Sequence, residues 1–99
     1  MAEIRWTYEA ELWLKEIYEY IALDNPQAAK EVVDGIYTTA QMLKDRPKMG
    51  YTYEVPGMEE VRILLYEHYR IAYLILDDRI YILGVFHGAL DIDKYLKRV

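Results

Sequence analysis

Apolar and polar positions are patterned most densely over residues 61–87, VRILLYEHYRIAYLILDDRIYILGVFH, where runs of Ile, Val, Leu and Tyr are broken by Glu67-His68 and by Asp77-Asp78. β-Branched and aromatic runs separated by short polar pairs predict a three-stranded antiparallel meander. The Asp77-Asp78 break fits a two-residue hairpin, which sets Leu76 opposite Arg79, Leu74 opposite Tyr81, Ala72 opposite Leu83 and Arg70 opposite Val85. Side chains alternate across a strand, so this pairing sorts the hairpin into two faces. Ile71, Tyr73, Ile75, Ile80, Ile82 and Phe86 form an uncharged face expected under helices. Arg70, Ala72, Leu74, Leu76, Arg79, Tyr81, Leu83, Val85 and His87 form the opposite face, expected to be open. A loop at Glu67-His68 one residue longer than a minimal turn adds Arg62, Leu64 and Tyr66 to the open face and Val61, Ile63 and Leu65 to the core. That register is preferred because it avoids burying Arg62 without a partner. Leu64, Leu74, Leu76, Tyr81, Leu83 and Val85 then make an apolar patch large enough to call for a partner lying across it.

Upstream, Glu3 to Trp6 alternates and predicts a first strand at the sheet edge. Thr7 reads as an N-cap, with Glu9 and Glu11 in the first turn where carboxylates favour the helix dipole. Leu14, Ile17, Tyr18 and Ile21 recur at helical spacing, predicting an amphipathic helix over 8–23 with Trp13 and Tyr20 beside the stripe. Asp24-Asn25-Pro26 punctuates the chain: Asn25 caps a second helix over 26–44 and Pro26 takes its first position. Ala29, Val32, Val33, Ile36, Ala40 and Leu43 form its apolar face, and the short connection makes an antiparallel helical hairpin. Arg46-Pro47 ends it. Residues 48–60 contain two glycines and a proline and read as a long loop. Asp91 caps a short last helix over 92–97. Trp6 and Trp13 are assigned to helix–sheet packing.

Ninety-nine residues make one domain spanning 1–99, with no repeats or linkers. The absence of cysteine excludes a disulfide framework and thiolate chemistry. MAEIRWTY has no apolar core of a leader, and no run approaches the roughly 20 apolar residues of a membrane span, so a soluble cytoplasmic protein is expected. A net charge of −5 disfavours an interface driven by counterion release from phosphates. Eleven tyrosines against one phenylalanine suit half-wet sites, interfaces among them.

Candidate chemistry is sparse. His87 is a possible general acid, but a histidine at a strand end reads more simply as a structural donor to a neighbouring loop. Asp91 and Asp93 lack the His or Glu cluster that would complete a metal site. No metal and no cofactor are expected. Glu59 and Glu60 read as solvated.

The β-α-α-β-β-β-α order, with Asp24-Asn25-Pro26, Tyr69-Arg70-Ile71-Ala72-Tyr73 and Val85-Phe86-His87 followed by Asp91, resembles the RelE/ParE superfamily of toxins from type II toxin–antitoxin systems. The likeness spans nearly the whole chain. It implies an α+β fold in which an N-terminal strand and a helical hairpin pack on an antiparallel sheet completed by the meander, with a short C-terminal helix. It implies a cognate antitoxin wrapping the protein and contacting Arg70, Leu64, Leu74, Tyr81 and Leu83, with operator DNA reached only indirectly through the antitoxin.

Two activities follow from the resemblance. RelE-like members cleave messenger RNA on the ribosome; ParE-like members are associated with inhibition of DNA gyrase by protein–protein contact. In a RelE-like reading Arg70 matches the sheet arginine that contacts phosphate, Tyr95 the C-terminal tyrosine, Arg62 adds charge, and His87 replaces the usual acid. Ala89 stands where the loop arginine is expected, and Arg62 is the sole basic residue over 61–66. Because a nuclease needs positive charge and a proton donor at the phosphate, the chain is expected to be ParE-like, with the ribosome-dependent nuclease as the alternative and an inactive, antitoxin-binding relative as a third reading.

Overall fold

The computed structural model describes residues 2–88 and 92–96. In order, these form β1 (Glu3–Trp6), α1 (Tyr8–Ala22), α2 (Pro26–Gln41), a 3-10 turn (Met42–Lys44), β2 (Tyr51–Thr52), β3 (Glu60–Tyr66), β4 (Tyr69–Leu76), β5 (Arg79–His87) and α3 (Asp93–Leu96). The architecture is α+β, two helices packed on a five-stranded sheet of order β1-β5-β4-β3-β2. Among the described residues no helix is long and apolar enough to cross a membrane. The expected cap at Asp91, the loop position Ala89 and the helix end at Lys97 lie outside the described residues.

Local chemistry sets the helix ends where expected. The Thr7 hydroxyl accepts from Ala10 N–H at 3.1 Å and donates to the Ile82 carbonyl at 2.7 Å, tying the start of α1 to β5. Asn25 accepts from Ala28 N–H at 3.1 Å, with Pro26 opening α2. Tyr18 departs from the expected stripe: it is exposed, and Ala10 is the fully buried residue of α1. The small side chain lets the first turn lie close to the sheet.

The sheet is mixed rather than antiparallel, because β1 runs parallel to β5 with Glu3 opposite Arg79 and Trp6 opposite Ile82. A short β2, absent from the sequence reading, pairs antiparallel with β3.

Two register corrections decide which residues face the helices. The Glu67-His68 turn is minimal, with Tyr66 opposite Tyr69 and Glu67 in the left-handed region at φ 51°. The faces of β3 are therefore the reverse of those expected. Leu64 and Tyr66 lie on the helix side, Val61 and Ile63 on the other, and Leu65 is 60% exposed. Arg62 tolerates the helix-side position because it is not unpartnered: its Nε meets Glu60 at 2.8 Å and its Nη1 donates to the Gly50 carbonyl at 2.7 Å. Gly35 of α2 makes room for Tyr66, whose hydroxyl would stand 1.9 Å from a Cβ at that position.

The second correction is a bulge in β5. Leu76 faces Arg79 and Leu74 faces Tyr81 as expected, but Tyr73 faces Ile82 while Ala72 faces Gly84, leaving Leu83 as an extra residue. Beyond it the parity inverts, so Arg70 faces Phe86 rather than Val85. Val85 joins the helix-side core with Ile71, Tyr73, Ile80 and Ile82, and Phe86 turns to the opposite face. There its ring lies over Gly84, 2.4 Å from where a Cβ would stand.

That opposite face is not open. Val55 and Met58 of the loop, with Ile92 and Leu96 around α3, cover Val61, Ile63, Ala72, Leu83 and Phe86 as a second core. Of the expected patch, Leu64 and Leu83 are each 7% exposed and Val85 is fully buried. Leu74, Leu76 and Tyr81 remain partly or wholly accessible.

Tyr73 joins the sheet to the 45–50 connection. Its buried hydroxyl accepts from Gly50 N–H at 2.9 Å and donates to the Pro47 carbonyl at 2.7 Å. Tyr73→Phe strands both groups and is expected to cost about 1–3 kcal/mol in a urea melt. Burial, partly offset by the Gly50 hydrogen bond, raises the phenol above its ordinary value. A raised folded value means that the contribution is complete below the unfolded value near pH 10 and is lost as pH rises through the folded one. The variant should therefore lose stability less steeply than wild type above about pH 10.

Candidate functional site

The far end of the meander gathers the chemistry-bearing side chains. The tight Glu67-His68 turn brings the start of β4 against the end of β5, where Tyr69 faces His87. Gly88 N–H donates to the His68 carbonyl at 2.7 Å, and Arg70 Nη2 donates to the Gly88 carbonyl at 3.2 Å. The His87 ring meets the Tyr69 ring edge-on at 5.7 Å and lies nearly parallel to His68 at 6.4 Å. Leu65, Glu67, His68, Tyr69, Arg70, His87 and Gly88 line a shallow depression of about 430 Å³.

The four residues of the nuclease reading do not converge. Arg70 faces Phe86, whose ring stacks on Tyr95 at 5.7 Å, so Arg70 and Tyr95 belong to the face covered by α3. His87 lies on the helix side because of the bulge. Arg62, opposite Tyr73, is on the helix side as well, but near the β2 edge, with its guanidinium engaged by Glu60 and by the carbonyls of Lys48 and Gly50. A phosphoryl site needs cation, base and acid around one phosphorus; here Arg70 and His87 line one depression, but Tyr95 is stacked on Phe86 outside it and Arg62 is held at the β2 edge.

The antitoxin-contact set divides too. Leu74, Tyr81 and Arg70 keep accessible surface, whereas Leu64 lies beneath the helices and Leu83 beneath the loop and α3. Among the described residues no group of three or more His, Cys, Asp or Glu side chains is placed to hold a metal ion.

A larger apolar cleft, unanticipated from sequence, runs beside α1. Trp13, Glu16, Ile17, Tyr20 and Ile21 form one wall and Tyr69, Val85 and His87 the other, enclosing about 490 Å³. The bulge creates it by turning Val85 and His87 toward α1. Tyr20 stands at its rim, 79% exposed. Its position beside the apolar stripe was the one available signal. At the cleft floor, burial raises the Tyr69 phenol, with smaller contributions from Glu67 and Tyr20. The site therefore offers aromatic and aliphatic surface with a single carboxylate, Glu16, a surface suited to an apolar peptide segment.

The family model described as the ParE toxin of type II toxin-antitoxin system, parDE, matches residues 4–92. No curated protein matches the chain. The fold is similar to a chain in the solved structure of the chromosomal ParDE TA system from P. aeruginosa, with a TM-score of 0.74 at 28% identity over 88% of this chain and 96% of that one. The chain belongs to the ParE toxin family of type II toxin–antitoxin systems.

Proposed function

We propose that the chain inhibits DNA gyrase by protein–protein contact in the cytoplasm and is neutralised by a cognate antitoxin. One observation carries the choice over RNA cleavage. The depression that Arg70 and His87 line includes neither Tyr95, which stacks on Phe86, nor Arg62, which is held at the β2 edge by Glu60 and two carbonyls. A single phosphate cannot be reached by all four, and contact chemistry needs no such convergence.

The antitoxin lays an apolar segment in the cleft beside α1, against Trp13, Ile17, Tyr20 and Tyr69. Arg70, Leu74 and Tyr81 are further contacts where it continues over the opposite face. Leu64 and Leu83 stabilise the fold beneath. Operator DNA is approached through the antitoxin, consistent with the chain's own charge of −5.

Expression without antitoxin, with translation and the DNA damage response followed in the same cells, tests the target. Growth arrest with an early damage response and intact messages is expected. Messages cut at ribosomal A-site codons, with cutting lost in Arg70→Ala, overturn the proposal in favour of the nuclease; growth unchanged at verified soluble levels favours an inactive, antitoxin-binding relative.

A further inference from the structure

The strand β1 has β5 on one side and no strand on the other. Glu3 N–H donates to the Asp78 carbonyl at 3.0 Å and Thr7 N–H to the Ile82 carbonyl at 3.2 Å, so odd-numbered residues bond toward β5. Ala2 N–H points outward and donates to the Lys44 carbonyl at 3.1 Å. Backbone groups alternate in direction along a strand, so Ile4 and Trp6 present N–H and C=O to the outer edge. Their side chains pack into the helix-side core, while Glu3 and Arg5 are exposed on the other face.

We propose that this edge pairs antiparallel with the same edge of a second copy, about a two-fold axis at Ile4. Among the two-fold registers that match outward groups with outward groups, three keep strand residues paired across the axis. Centring on Glu3 sets two glutamates opposite each other, and centring on Arg5 sets two arginines opposite each other. Centring on Ile4 sets Glu3 against Arg5 of the second copy, and Arg5 against its Glu3. Opposite charges directly across an antiparallel pair attract and like charges repel, so the sequence EIRW selects one register.

In that register Ile4 exchanges both backbone hydrogen bonds with its symmetry mate. Trp6 N–H faces the carbonyl of Ala2 across the axis, while Ala2 N–H stays on the Lys44 carbonyl of its own copy, and the bulky indole meets the small Ala2 side chain just before the strand. The surroundings fit. Tyr37 stacks on Trp6 at 5.7 Å and is half exposed, extending apolar surface along the edge. Trp6 Nε1 is buried with no acceptor in the described structure.

Charges on an edge strand commonly serve to block pairing, but blocking works by repelling an identical copy. Alternation of opposite sign at a spacing of two does the reverse. Four residues bury little area, so the dimer is weak and concentration-dependent. It follows from the fold alone and is independent of the gyrase and antitoxin reading.

Sedimentation velocity over a concentration series, with exchange protection of the Ile4 and Trp6 amides, tests the proposal on the full chain. Wild type is expected to shift toward dimer as concentration rises, with both amides gaining protection. Glu3→Arg and Arg5→Glu each set like charges across the axis and should weaken self-association about tenfold or more. An equimolar mixture of the two variants restores complementarity and should form a heterodimer. Melting by circular dichroism confirms that each variant is folded, Arg5→Glu removing the exposed Arg5–Glu3 pair at 3.2 Å within the strand but keeping the Arg79–Glu3 contact at 3.3 Å. A wild type monomeric throughout, variants that associate like wild type, or a mixture that does not recover association would overturn self-pairing. Protection of the two amides appearing only when an antitoxin strand is added would overturn it in favour of that strand.

Discussion

Leu83→Asp is expected to abolish the cooperative unfolding transition of this protein, while Leu74→Asp on the same face keeps it. Leu83 is 7% exposed and belongs to the second core with Val55, Ile63, Phe86, Ile92 and Leu96. Removing a buried leucine side chain costs about 2–5 kcal/mol. An aspartate there adds several kcal/mol for a carboxylate taken out of water without a partner. Together these approach the whole stability of an ordinary domain, about 5–15 kcal/mol. Leu74 is half-buried, so its carboxylate reaches solvent, and the lost burial is worth about 1–2 kcal/mol. Far-UV circular dichroism and urea melts of both variants decide the matter. A wild-type melt for Leu83→Asp would mean that the loop and α3 do not cover the sheet in solution.

Tyr20→Asp is expected to weaken antitoxin binding by roughly 30- to 150-fold, the loss of about 2–3 kcal/mol typical of a central interface tyrosine. The same change should leave stability within about 0.5 kcal/mol, because the side chain is already in water in the free protein. Titration calorimetry with the cognate antitoxin, alongside thermal melts, separates the two effects. Placing a charge on an apolar rim beside Glu16 removes ring contact and adds repulsion toward any acidic group nearby. Leu74→Asp is the control on the opposite face. A larger loss there than at Tyr20 would move the principal antitoxin contact from the cleft to the sheet face and refute the seating proposed above.

These variants touch the places where reading residues alone stops. The Asp77-Asp78 hairpin, and the pairings of Leu76 with Arg79 and Leu74 with Tyr81, are legible because a two-residue turn dictates register for the residues nearest it. Parity is then carried forward only as long as no residue is inserted. The insertion at Leu83 leaves no local mark, since Leu-Gly-Val-Phe reads as ordinary strand. It is selected by the Phe86 ring settling over Gly84 and against Trp13, whose centroid lies 4.8 Å away on another element. From that one residue follow the burial of Val85, the turning of His87 toward α1, and the cleft itself.

Arg62 illustrates the same limit through charge. Keeping an unpartnered arginine out of the core is sound physics, but whether Arg62 had partners depended on the carbonyls of Lys48 and Gly50, brought back by a loop whose path the sequence does not encode locally.

By itself, then, the sequence determined the caps at Thr7 and Asn25, the helical hairpin, the three-stranded meander and the family likeness. Each of these rests on a periodicity or a hydrogen bond closed within a few residues. Tertiary structure alone decided that β1 runs parallel to β5, that the second face is covered, and that Arg62 is held at the β2 edge away from the depression lined by Arg70 and His87. Those outcomes rest on contacts between segments distant in the chain, where the free energy belongs to the packed pair and is written in neither segment alone.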